Sequence, residues 1–181
     1  MHGPTAPGWL VVVLCAASGA YCLLRMRSTV EEQRRAAGGE ALMGFGMAVM
    51  AVPAAIAAPP RWAWIAYLAV FGATAVRALF AARTHAHHLH HLVGSCAMVY
   101  MAAAMAASSG HHGHGGVPLL TGVFLLYFAG YVLWAGVRLV PVTAVTVAAG
   151  THSVGWGDRP ELARACRLSM TIGMLAMLLA F

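Results

Sequence analysis

Long apolar runs separated by short Arg-, Gly- and Pro-containing stretches set the pattern of this chain. Each run is read against the about 20 apolar residues, in a range of roughly 17–25, that a helix needs to cross a bilayer. Six runs qualify: 9–25, 41–58, 62–82, 89–107, 117–139 and 163–181. Pro53 predicts a kink in the second. Pro118 opens the fifth in its first turn, where its missing N–H costs nothing. The sixth is the most polar at its start, since only Leu168 to Phe181 is free of charge. The expected fold is all-α, a polytopic helical bundle of six transmembrane helices forming one domain over 1–181. No internal repeat is found.

Composition agrees with this pattern. Hydrophobic residues make up 61% of the 181 positions and charged residues only 9%, against about 25% charged in a soluble domain. The bilayer is therefore the expected partner. Net charge is +6, but the arginines sit at the ends of apolar runs, so nucleic-acid binding is not the inference. Arg25, Arg27, Arg34, Arg35, Arg77, Arg83, Arg138, Arg159, Arg164 and Arg167 fall on one side of the alternating spans, and Arg61 alone on the other. The positive-inside rule places the larger set in the cytoplasm and both termini outside a bacterial plasma membrane. Trp9, Trp62 and Trp64 then lie where an outer aromatic belt belongs. The first run has no basic residue before it, so it reads as a retained helix and not a cleaved signal.

Two connections stand apart. Residues 141–159 are rich in Val, Thr, Ala and Gly and are expected to form a flexible cytoplasmic linker. Residues 108–116 read SSGHHGHGG. His111, His112 and His114 offer a second, outer metal site for Zn²⁺ or Cu²⁺ through imidazole, or simply a polar hairpin tip.

The remaining chemistry lies in His, Cys and Met. The stretch from His85 to His91 holds five histidines and runs into the fourth span. At about 100° per residue, His87, His91, Gly94, Met98, Met101 and Met105 share one stripe. His88 and His90 fall off it and are expected to face headgroups or the loop. Two further Met triplets have helical spacing: Met43, Met47 and Met50 in the second span, and Met170, Met174 and Met177 in the sixth. Spans one, three and five contain no such Met. Continued toward the cytoplasm, the three stripes reach Glu40, then His91 and His87, then Cys166. Thioether and thiolate are soft donors that suit Cu(I), and imidazole suits several transition metals. The pattern thus predicts a Met-lined interior with a Glu40/His87/His91/Cys166 mouth, binding or moving a soft metal, copper above zinc. Packing is the competing explanation, because Met fills irregular interfaces well. The four cysteines, Cys15, Cys22, Cys96 and Cys166, include no CxxC and read as small buried hydrophobes, not a disulfide framework. Phe124, Tyr127, Phe128, Tyr131 and Trp134 form an aromatic stripe in the fifth span, read as packing or lipid contact.

Other functions are kept as alternatives. One is a non-catalytic accessory subunit whose Met/Ala faces dock a membrane partner, binding no ligand at all. Another is a haem protein with His/Met axial ligation. No HExxH, GxSxG, P-loop or strand-framed GxGxxG occurs, so no catalytic residue is assigned. An intramembrane zinc hydrolase would have to rest on His87, His91 and Glu40.

The stretches GWLVVVLCAASGAYCLLRMRS, EEQRRAAGGEALMGFGMAVMAVPAA, HHLHHLVGSCAMVYMAAAMA, GVPLLTGVFLLYFAGYVLWAGVRLVP and WGDRPELARACRLSMTIGMLAMLL resemble a family of small actinobacterial membrane proteins of unknown function. The resemblance covers most of the chain. It implies an actinobacterial plasma membrane and a polytopic helical fold, and it carries no catalytic residues.

Overall fold

The computed structural model describes residues 5–27, 31–52, 59–82, 88–107, 116–145 and 160–180. Among these, all regular structure is helical: α1 (Thr5–Arg25), α2 (Glu31–Met50), α3 (Arg61–Ala82), α4 (His88–Ala107), α5 (Pro118–Val145) and α6 (Pro160–Ala180). Five of the six, all but α2, are long and apolar enough to cross a membrane. The elements follow the hydrophobic runs closely, and the exceptions have local causes.

α2 begins at Glu31, ten residues before the expected start at position 41, and ends at Met50. Its first half, EEQRRAAGG, is polar, so hydropathy did not mark it. Helix formers and the exposed Glu31–Arg35 pair at i,i+4 nonetheless favour a helix there. Ala51 and Val52 leave the helix in a turn; Pro53 and the rest of the expected span, 53–58, lie outside the described residues.

α5 runs to Val145. Residues 141–145, expected to open a flexible linker, are helical instead: they add a further turn to a helix already stabilised over its apolar length, where propagation is easy. The remainder of that linker, 146–159, lies outside the described residues. α6 starts with Pro160, whose fixed φ suits the first turn.

Consecutive helices pair as hairpins, α1 with α2, α3 with α4 and α5 with α6. α1 also packs on α6, and α2 reaches both α4 and α6. α1, α2, α4 and α6 therefore surround the interior, while α3 and α5 cover it from outside. Among the described glycines, Gly44 marks a close backbone approach between α1 and α2. A Cβ on Gly44 would lie 3.0 Å from the Cys15 carbonyl oxygen and 3.0 Å from Gly19 Cα. Small residues permit this spacing, as they do generally between helices in lipid. The outer faces of α3 and α5 carry exposed Trp62, Ile65, Leu119, Leu126, Leu133 and Val137, as a lipid-facing surface requires.

Candidate functional site

The core is rich in sulfur. Met47 and Met50 of α2, Met98 and Met101 of α4, and Met170 and Met174 of α6 belong to one buried cluster with Cys15 and Cys22 of α1. Met43 and Met177 pack against it. Met105 is half-buried and lies outside the cluster. The three stripes therefore converge on one interior. Specific contacts register them: the Met43 methyl lies 2.9 Å from where a Gly94 Cβ would stand, and the Met98 methyl 3.3 Å from the same position at Gly46. A Cβ on Gly173 of α6 would sit 2.9 Å from Cys15 Sγ, so this glycine lets α6 approach the Cys15 thiol.

A charged cluster lies at the end of this interior where α1 ends at Arg25. Glu40 is its centre, with its side chain 1% exposed. One carboxylate oxygen, Oε2, accepts from Arg25 Nη1 at 2.8 Å and from the Cys22 thiol at 3.6 Å. The other, Oε1, accepts from Arg167 Nε at 2.6 Å. His91 Nε2 stands 4.0 Å from Oε1. A lone carboxylate in an apolar interior is costly, and two charge-assisted bonds are what make it tolerable. Arg25 is as buried as Glu40, whereas the Arg167 side chain is 39% exposed and reaches the rim. Arg25 Nε is buried without a hydrogen-bond partner among the described residues.

Cys22 of α1 lies beside this ion-paired carboxylate, and Cys166 of α6 immediately precedes Arg167, whose guanidinium holds its other oxygen. The charges of Arg25 and Glu40 act on both thiols. All four cysteines are free thiols. One turn along α6, Ser169 donates to the Cys166 carbonyl at 2.8 Å. Its oxygen is thereby left to accept from Ser18 at 2.8 Å, tying α1 to α6 beside the thiol pair.

His90 forms the other edge of the cluster. Contrary to the expectation that it faces headgroups or the loop, its ring stacks on Tyr131 of α5 with centroids 4.0 Å apart and planes at 16°. The cause is α5, whose aromatic stripe covers the face of α4 that a single-helix projection leaves empty. Thr171 Oγ1 donates to the Arg167 carbonyl at 2.7 Å, so toward His90 Nε2, 3.4 Å away, it is an acceptor. Nδ1 then accepts from the Tyr127 hydroxyl at 3.4 Å. This network places a hydrogen on Nε2. The same stripe supplies Phe128, 1% exposed, and Trp134, over whose ring the Arg138 guanidinium carbon lies at 4.2 Å.

Of the residues singled out from the sequence, Glu40 and His91 stand near one another, 4.0 Å apart, and Cys166 immediately precedes Arg167, which bonds Glu40. His87, His111, His112 and His114 lie outside the described residues, as does the side chain of His88. Among the described residues, no three His, Cys, Asp or Glu side chains gather closely enough to hold a metal ion. Sequence reasoning missed Arg25, Arg167, Cys22 and His90 as members of the cluster. The available signal was Glu40 itself: a carboxylate beside a span needs a cation, and Arg25 at the end of α1 and Arg167 in the first half of α6 are both near the same side of the membrane pattern.

Fold and site define an all-α protein with membrane-crossing helices around a sulfur-lined interior, closed at one end by a buried ion-paired carboxylate. The chain belongs to the family described as a domain of unknown function, DUF5134, whose model matches residues 32–181. No curated protein and no solved structure is similar to it.

Proposed function

We propose that this chain is a six-span protein of a bacterial plasma membrane, both termini outside, that binds a soft transition metal, copper(I) above others, in its sulfur-lined interior. The observation that carries this reading is the convergence of Met residues from α2, α4 and α6, with Cys15 and Cys22, into a single core cluster. Thioethers and thiols at that density suit Cu(I), which prefers soft donors. A site built from Met and paired Cys needs no third His, Cys, Asp or Glu.

α2 counts as the sixth span through the apolar run 41–58, whose helical part, Ala41 to Met50, reaches the core through Ala41, Met47, Ala48 and Met50. The polar half extends to the inner surface. The arginine distribution supports this orientation. Glu40, with both oxygens engaged by arginine, serves as a counter-ion and not as a ligand. Actinobacterial origin rests on the sequence resemblance alone.

The test is metal loading of the full chain, purified in detergent and exposed to Cu(I) under reducing, anaerobic conditions. Copper retained stoichiometrically through gel filtration is expected. Copper at the level of a metal-free membrane protein control contradicts the reading.

A further inference from the structure

We propose that Cys22 and Cys166 together are the primary Cu(I) ligands, a bis-thiolate site at the inner end of the sulfur-lined interior, balanced in charge by Arg25, Glu40 and Arg167. This rests on the metal reading above and names its ligands.

Three observations support it. The two thiols come from facing helices: Cys22 lies one turn along α1 from Ser18, Cys166 one turn along α6 from Ser169, and those two hydroxyls meet at 2.8 Å, so α1 and α6 carry the thiols at one level of their interface. They adjoin the Met core on one side, since Cys22 belongs to the buried cluster, and the partly exposed Arg167 on the other, which gives an entry side and a soft interior beyond it. Lastly, the charges add up. Glu40 carries one negative charge and Arg25 and Arg167 two positive ones, leaving a surplus of +1 around the thiols, with Arg25 buried and Arg167 at the rim. When Cu(I) binds, two S–H bonds break, two Cu–S bonds form, and both protons leave to water. No electron moves. The resulting bis-thiolate complex carries a charge of −1, so the cluster becomes neutral. Uncompensated charge away from water is costly, and this ligand pair removes it. A neutral Met-only site would raise the surplus to +2. Arg25 Nε, buried and without a hydrogen-bond partner among the described residues, is a further donor in the cluster that holds Glu40.

The full chain is titrated with Cu(I) against a chromophoric Cu(I) chelator, beside Cys22→Ser/Cys166→Ser and Arg167→Gln. The double variant is expected to weaken binding by more than about a hundredfold, beyond the 10–100-fold that outer-sphere changes cause in metal sites. Arg167→Gln, which removes the balancing charge and no ligand, is expected to weaken it within that 10–100-fold range. Unchanged affinity in the double variant overturns the bis-thiolate site and leaves the Met interior as the binding place. Absence of copper from the unaltered chain overturns the metal reading itself. If the double variant does not fold, copper K-edge absorption of the unaltered protein decides. A short two-sulfur shell supports the pair, and a shell of nitrogen or of longer thioether contacts overturns it.

Discussion

Arg167 Nε donates to Glu40 Oε1 at 2.6 Å, joining α6 to α2 across most of the chain's length, while Arg25 holds the second oxygen of the same carboxylate. Removing the carboxylate strands a buried arginine. Glu40→Gln is therefore expected to destabilise the detergent-solubilised protein by about 3–5 kcal/mol, the range for breaking a buried pair from one side. Arg167→Gln is expected to cost less, because Arg167 is partly exposed and Arg25 remains on Glu40. Thermal unfolding followed by loss of the monodisperse gel-filtration peak ranks the two variants. Equal midpoints would show that the cluster does not organise the helices.

Helix placement was largely legible in the sequence because apolar runs of bilayer length leave little choice. The start of α2 was not: its stability as a helix comes from local propensity and the Glu31–Arg35 pair, to which hydropathy is blind. The site was half legible. Extending the Met stripes of α2 and α4 toward the cytoplasm reaches Glu40 and His91, which stand 4.0 Å apart, because helical periodicity fixes which residues share a face. Arg25 and Arg167 were read as membrane-edge charges, a role that hides a pairing partner. His90 was misplaced because its face of α4 is defined by Tyr127 and Tyr131 of α5, and no single-helix pattern contains a neighbouring helix.

The His90–Tyr131 stack fixes α5 on α4. Tyr131→Ala is expected to lower stability by about 0.5–1.5 kcal/mol for the ring pair, beyond the loss of buried area. Tyr131→Phe keeps the ring and is expected to match the unaltered protein. Thermal midpoints of the two variants decide; equal losses would assign the effect to the hydroxyl and not to stacking.

Close packing of α1 on α2 gives a third outcome. Gly44→Ala places a Cβ 3.0 Å from backbone atoms of Cys15 and Gly19, which cannot move aside as a side-chain tip can. A loss of about 1–3 kcal/mol is expected, as for other overpacked sites. Gly72→Ala, where no atom lies within 4 Å of the new Cβ, is the control and is expected to leave the melt unchanged. Tolerance of Gly44→Ala would mean that the helices stand further apart than described.

The Met core separates packing from ligand chemistry. Met98, fully buried, tolerates Leu at a cost below about 1.5 kcal/mol because volume is conserved. Ala at the same position costs about 2–5 kcal/mol through the cavity it leaves. If thioethers contribute to metal binding, Met47→Leu/Met98→Leu/Met174→Leu melts near the unaltered protein yet holds Cu(I) less tightly. Equal Cu(I) affinity would assign these residues to packing alone.

Topology is open to a direct check. With both termini outside, alkaline phosphatase fused after Phe181 is expected to be active and a green fluorescent reporter at the same point dark. The reverse pattern would invert the bundle and put the Arg25–Glu40–Arg167 cluster at the outer surface.

Metal in the sulfur-lined interior separates ligand chemistry from packing. Elemental analysis of the full chain, purified in detergent after Cu(I) loading under reducing conditions and freed of loose metal, measures it directly. Copper in stoichiometric ratio to protein is the predicted result. Copper no higher than in a membrane protein without a metal site would contradict it and leave the converging methionines as packing.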